Sequence, residues 1–530
     1  MEINSLKFII FVAVVILLYF LTPKKYKWWI LLISSYLFYW INSNQLIIFI
    51  LITTISIYLL GIFLDRIDKK LKLECENVTK EKKKSLKESA KAKKKLIVLI
   101  ALIINLGILG VIKYFNFFSG NINILFNLFN INIQIPSMKF VLPIGISYYT
   151  LQALSYVIDI YRQKIEADKN IGRVALFLVF FPQIVEGPIG RYKDLAKQLY
   201  NPHKIEFNHI KNGILLAIWG FFQKMVIADR LGIFVDEVFS NHLQYSGFIL
   251  ICAVFFYTFQ IYADFAGCIN IVRGVAEIFG VNLAENFRRP FFSRSIQEFW
   301  KRWNITLGVW LKEYIFYSVA FSKWCLNLTT KLNLKLKKYK HLAKTLSALC
   351  PLFFVWIANG LWHGASWKYI FYGMYYFIIM AIGMILTPVF KKVCKYLKIN
   401  IDSRKYKLWQ ILRTFFIVNI GMLIFRAADI SSAFSILKSM FNFSTFGELF
   451  YGKIFTLGLD VGEFIILGIS LIIMLVVDFL QEKNYHIREE IGKRNVVLRW
   501  SIYYAGIFSI IIFGIYGKDY NPSTFIYGQF

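Results

Sequence analysis

Cysteine is scarce in this chain, six in 530 residues, and no two form a C-x-x-C pair. Cys75, Cys252, Cys268, Cys325, Cys350 and Cys394 are scattered, several in apolar runs where a reduced thiol behaves as a small hydrophobe. That pattern supports neither a disulfide framework nor a zinc site, and no metal is expected. Charge is thin as well: 18% of residues, against roughly a quarter in soluble domains. Acidic residues number 31 against 62 basic ones. No internal repeat of roughly 20–50 residues is visible, which excludes a solenoid. The first apolar run, Phe8 to Leu21, lacks a basic n-region beyond Lys7 and a small-residue cleavage site. It reads as a retained span, not a signal peptide.

Apolar surface is abundant instead. Hydrophobic residues make up 57% of the chain and aromatics 18%, an excess that calls for lipid. A hydrocarbon core about 30 Å thick takes about 20 helical residues. Apolar runs lie near 8–22, 28–41, 44–64, 96–117, 139–160, 173–185, 212–228, 247–263, 346–359, 368–388, 409–425, 458–479 and 499–516. Some are too short to cross alone and suit re-entrant segments. The fold class expected is all-α integral membrane, with about eleven or twelve transmembrane helices plus re-entrant or interfacial helices around a central tunnel.

The net charge of +31 would suit nucleic acid, but its placement argues against that partner. Lys and Arg collect between apolar runs: Lys24 to Lys27, Arg66 to Lys95, Lys331 to Lys344 and Lys391 to Lys407. That is the cytoplasmic bias of the positive-inside rule, with anionic headgroups of the lipid bilayer as counter-charge. It puts 24–27 and 65–95 inside and the N-terminus outside. The stretch 265–345 carries Arg288, Arg289, Arg294, Lys301 and Arg302 among aromatics and suits interfacial or re-entrant helices. The divisions expected are N-terminal transmembrane helices over 1–64, a basic cytoplasmic segment over 65–95 (a solvated helix or loop), a core over 96–430, C-terminal transmembrane helices over 431–516 and a tail over 517–530.

Of the six histidines, His203, His209, His242, His341 and His486 sit in polar or loop-like stretches. His363 is flanked on both sides by apolar residues in PLFFVWIANGLWHGASWKYIFYGMYYF. An ionisable group at membrane depth usually faces a cavity or a partner, and an imidazole is a natural general base for a hydroxyl. A histidine hydrogen-bonded between helices is the alternative. Gly360, Gly364 and Ala365 remove bulk around it, either for a substrate or for helix packing. Asn304, in FWKRWNITLG, can orient a base or donate to an oxyanion, or simply cap a helix. Arg191, Asp264 and Arg302 are charged residues near apolar runs that either line a tunnel or pair with one another.

The segments FPQIVEGPIGRY (181–192), FQIYADFAG (259–267), SIQEFWKRWNITLGVWLKEYIFY (295–317) and NGLWHGASWKYIFYG (359–373), together with LPIGISYYTLQALSYVIDIYR (142–162), resemble the membrane-bound O-acyltransferase family. The likeness is strongest to its bacterial branch that acylates envelope polysaccharides such as alginate and teichoic acid. It implies that His363 is the catalytic histidine. The branch commonly has His where Asn304 stands, which leaves Asn304 positioning or oxyanion stabilisation in place of acid–base work. Its usual R-D-Y is here Lys312-Glu313-Tyr314. The terminal FIYGQF (525–530) is similar to a C-terminal motif of the D-alanylation system, whose tyrosine carries the acyl group. By that likeness Tyr527 is a candidate acyl carrier, with an interfacial anchor as the other reading.

The resemblance implies an acyltransferase in the bacterial cytoplasmic membrane. It would move acetyl from a cytoplasmic thioester, acetyl-CoA as co-substrate with no bound cofactor, to hydroxyls of an envelope polysaccharide. An extracytoplasmic SGNH-type partner fits such a system. D-Alanyl transfer to teichoic acid from an acyl carrier protein is the alternative, and a polysaccharide transporter or flippase is the rival from another class.

Overall fold

The computed structural model describes residues 1, 3–76, 78–442 and 452–516. Among them all regular structure is helical, and the only β-pairing is an isolated antiparallel bridge between Phe287 and Trp303. Contacts divide the chain into two compact units, residues 1–214 with 272–284, and residues 215–271 with 285–530.

The first unit holds α1 (Leu6–Leu21), α2 (Lys27–Ser43), α3 (Ile47–Glu74), α4 (Lys80–Leu128), α5 (Ile146–Tyr161), α6 (Ile171–Val179) and α7 (Tyr192–Tyr200). The basic 65–95 stretch is helical on both sides of a short turn, as the ends of α3 and α4. Lys94 joins these ends by donating to Asp68 at 2.8 Å, and Gln163 donates to the same carboxylate at 2.7 Å. Gly145, just before α5, has φ +69, and a Cβ there would lie 1.8 Å from the carbonyl oxygen of Ile184. Only glycine allows that approach, which seats the LPIG segment on the 181–190 turn. Gln183 closes this turn by donating to the Pro188 carbonyl at 2.6 Å.

The second unit begins within α8 (Phe207–Phe221), which runs through a π-helical stretch (Phe222–Ala228) into α9 (Asp229–Ser240). Next come α10 (Phe248–Ile278), whose last turns belong to the first unit, then α11 (Ile296–Arg302) and α12 (Ile305–Leu311). A second π-helical turn (Lys312–Phe316) leads into α13 (Tyr317–Ala320) and α14 (Lys323–Lys335). The long helices α15 (Lys340–His363), α16 (Trp367–Tyr396) and α17 (Arg404–Arg426) follow, with α18 (Ile430–Ser439), α19 (Val461–Glu482), α20 (Ile487–Gly492) and α21 (Val496–Phe513) after them. Side-chain caps set several starts: Ser366 accepts from Lys368 N–H, Ser403 from Tyr406 N–H, and Asp460 forms a capping box with Glu463.

The chain is a multi-pass membrane protein. Eight helical stretches among the described residues are long and apolar enough to cross a bilayer. They are 24–74 (taking in α2 and α3), α4, α10, α15, α16, α17, α19 and α21. Four apolar runs take shorter or more polar forms, among them the first, 8–22, expected as a retained span, which yields the 16-residue α1. The 139–160 run yields the 16-residue α5, and 173–185 yields the nine-residue α6. The 212–228 run lies in a helix that buries Lys224, Asp229 and Arg230. Lys224 there donates to Asp264 at 2.6 Å and lies 2.9 Å from Asp229. Buried charges of this kind are costly unless paired with one another or with backbone carbonyls, as Arg230 is with Val226 and Phe513.

Candidate active site

The α15–α16 hairpin builds the histidine's surroundings. The two helices join through only Gly364, Ala365 and Ser366, so their backbones run close together. A Cβ on Gly360 would lie 2.4 Å from the carbonyl oxygen of Tyr369, and one on Gly373 would lie 2.3 Å from that of Trp356. A Cβ on Gly364 would strike the Tyr369 ring at 2.4 Å. Of the two roles open to Gly360 and Gly364, helix packing is the one these contacts fill.

His363 ends α15 and is 2% exposed. Its ring meets Trp362 at 5.0 Å, Phe425 of α17 at 5.1 Å and Tyr372 of α16 at 5.6 Å between centroids. Phe425 and Tyr372 both stand at 89° to the imidazole. The histidine therefore lies in an aromatic box closed by three helices. Asn359, four residues earlier on the same face of α15, is 5% exposed, and its Oδ1 is buried with no hydrogen bond. The N-G-L-W-H spacing puts Asn359 on the His363 face of α15, a role not evident from the residue type alone.

Asn304 opens α12 in the left-handed region, φ 43 and ψ 55, which Asn tolerates better than most residues. It stands at the N-cap position but does not cap with its side chain. Asn286 supplies the cap: its Oδ1 accepts from the N–H of Thr306 at 2.9 Å and from the Thr306 hydroxyl at 2.7 Å. Backbone bonds from Ile305 N–H to the Asn286 carbonyl (3.0 Å) and from Arg288 N–H to the Arg302 carbonyl (2.9 Å) zip the two segments together. Trp303 anchors them, stacked on Phe299 at 5.4 Å and edge-on to Phe287 at 5.0 Å. The amide of Asn304 is left 3% exposed, with neither side-chain atom hydrogen-bonded.

Aromatic contacts join this turn to the histidine box. Trp300, one turn before Asn304, lies 6.3 Å from Tyr372, the ring that also meets His363. Trp300 further meets Trp356 at 5.0 Å and Tyr376 at 4.9 Å. The indole N–H groups of Trp300 and Trp356 are both buried without a hydrogen-bond partner. Buried polar groups left unmade are costly and rare in folded proteins. Asn304, Asn359, Trp300 and Trp356 thus place unpaired buried polar atoms on the elements that frame His363, chemistry suited to a polar substrate.

The remaining sequence candidates separate. Asp264 pairs with Lys224, and Arg302 forms a network with Glu298 and Glu482. Burial alone would lower the Arg302 guanidinium, but Glu482 and then Glu298 outweigh it and hold it above the usual arginine value. Arg191 stands at the N-terminus of α7. Lys312, Glu313 and Tyr314 open the π-helical turn after α12, with Tyr314 buried. Tyr527 lies outside the described residues.

Residues 165–330 match the sequence profile of the MBOAT, membrane-bound O-acyltransferase family. The probable alginate O-acetylase AlgI of Pseudomonas aeruginosa is 30% identical over 369 residues, 70% of this chain and 65% of the relative. That of Pseudomonas syringae pv. tomato is 30% identical over 387 residues, 73% of this chain and 68% of the relative. The teichoic acid D-alanyltransferase of Bacillus subtilis is 28% identical over 290 residues, 53% of this chain and 68% of the relative. The matched stretch thus spans just under two thirds of the P. aeruginosa protein's length.

Proposed function

The chain belongs to the membrane-bound O-acyltransferase family, and we propose that it moves an acetyl group from a cytoplasmic thioester to hydroxyls of a cell-envelope polysaccharide. The observation that carries this reading is the Asn304 amide, buried and unbonded on an aromatic framework shared with His363 while Asn286 does its capping work. Such an amide is available to donate to a developing oxyanion.

In the mechanism, His363 takes the proton of the attacking hydroxyl as that oxygen bonds to the thioester carbonyl carbon. The positive charge developing on the imidazole lies at the carbonyl end of α15, where a cation is favoured. The Asn304 N–H donates to the carbonyl oxygen as it becomes negative. Collapse breaks the carbon–sulfur bond, and His363 returns the proton to the leaving thiolate. Ester and free thiol are the products, with the base regenerated.

The first acceptor in this reading is the Tyr527 phenol, whose ester then passes to the polymer outside, directly or through an extracytoplasmic SGNH-type partner. The basic ends of α15, α16 and α17, with Lys331–Lys344 and Lys391–Lys407, support a cytoplasmic face for donor entry and a place in the bacterial cytoplasmic membrane. Acetyl-CoA is the donor that the likeness to alginate O-acetylases favours. The likeness to a teichoic acid D-alanyltransferase supports D-alanyl transfer from a carrier protein as the second reading. The test is to release base-labile groups from envelope polymer of cells with and without the chain. Chain-dependent acetate supports the first reading, chain-dependent D-alanine the second, and no chain-dependent ester contradicts both.

A further inference from the structure

Glu482, the last residue of α19, reaches a turn 180 residues earlier in sequence. Its Oε2 accepts from Arg302 Nη1 at 2.9 Å and its Oε1 from Arg302 Nη2 at 3.0 Å, a two-pronged fork. Oε2 also accepts from Arg289 Nε at 2.9 Å. Arg302 Nη2 donates as well to Glu298 Oε1 at 2.7 Å, and Glu298 Oε2 accepts from Arg294 N–H at 2.9 Å.

The two arginines held by Glu482 flank the paired segments that carry Asn304. Arg302 precedes Trp303 and Asn304, and Arg289 follows the Phe287–Trp303 bridge by two residues in a left-handed conformation, φ 46. A half-exposed ion pair adds little to stability, whereas a forked arginine–carboxylate pair fixes orientation sharply. One carboxylate joining both segments sets their angle and with it the aim of whatever lies between them.

We infer that Glu482 is a positioning residue for Asn304: by clamping Arg302 and Arg289 it fixes the turn from which the Asn304 amide meets the developing oxyanion. This rests on the reading of Asn304 as the oxyanion donor. Neither residue touches Asn304's amide, so the clamp acts through backbone geometry, and a displacement of about 1 Å there suffices to cost a hundredfold in rate. An Arg302→Lys change keeps the charge but not the fork.

The test is a double-mutant cycle in full-length chain, read as the rate at which base-labile ester appears on envelope polymer per amount of membrane-inserted protein. That readout does not depend on which acyl group moves. Glu482→Ala is expected to slow ester formation by about tenfold or more, and to lose most of that effect when combined with Asn304→Gly. Hydrogen exchange of the 299–306 segment is expected to rise in Glu482→Ala. If Glu482→Ala fails to insert, Glu482→Gln serves in the same cycle and is expected to keep part of the rate. Rate losses that multiply in the double variant, or unchanged exchange and rate, overturn the inference. An Asn304→Gly protein as fast as wild type instead overturns the role of Asn304, and the clamp's purpose with it.

Discussion

Asn286 Oδ1 accepts two hydrogen bonds from Thr306, one from its N–H at 2.9 Å and one from its hydroxyl at 2.7 Å. This pairing separates two asparagines that look alike in sequence. One holds the turn, and the other is held by it.

The two residues should therefore fail in different ways. Asn286→Ala removes a helix cap, a cost of about 0.5–2 kcal/mol. Less protein should reach the membrane, with activity per molecule largely kept. Asn304→Gly keeps the left-handed backbone and loses only the amide. Membrane amount and melting temperature should stay near wild type, while ester formation falls roughly tenfold to a thousandfold. Quantifying membrane protein alongside polymer ester separates the two, and a stable Asn304→Gly variant at full rate would remove Asn304 from the mechanism.

Lys224 bridges Asp264 and Asp229 with all three side chains no more than 2% exposed. Lys224→Met removes the cation shared by two buried carboxylates, and breaking a buried pair costs about 3–5 kcal/mol. The variant should accumulate poorly, and adding Asp264→Asn should restore part of the level on an immunoblot of membranes. Normal accumulation of Lys224→Met would mean the cluster is not a structural requirement.

Tyr527→Phe keeps an aromatic anchor and removes only a hydroxyl. As acyl carrier, Tyr527 predicts that this variant inserts normally and forms no polymer ester. Intact-mass or peptide analysis of wild type supplied with donor should then find an acyl ester on Tyr527. Full activity of Tyr527→Phe would send the acyl group straight from thioester to acceptor.

Much of this was legible in the sequence, and the reasons differ residue by residue. Apolar runs exposed the spans, because lipid leaves the backbone only helices to form, but run length did not sort them: the long 139–160 run yields the 16-residue α5, whereas the shorter 346–359 run lies in the spanning α15. His363 was legible because an imidazole amid apolar residues is conspicuous. The roles of Gly360 and Gly364 were not, since small residues serve packing and access alike; only the backbone contacts to Tyr369 decide. The Glu482 partner of Arg302 was hidden by 180 residues of chain. The Lys224–Asp264 pair was hidden by 40 residues, and nothing in local pattern says which charges meet. Asn286 was missed because a cap that reaches across 20 residues has no spacing rule.

If His363 activates the hydroxyl for acyl transfer, His363→Ala removes the base and leaves the remaining site in place. The His363 ring packs against Tyr372 and Phe425, while Gly360 and Gly364 lie against Tyr369. The measurement is base-labile ester on envelope polymer, per molecule of chain in the membrane, in cells expressing wild type or His363→Ala. His363→Ala is expected to insert normally and to leave ester at the level of cells lacking the chain. Ester near the wild-type level in His363→Ala cells would contradict His363 as the base.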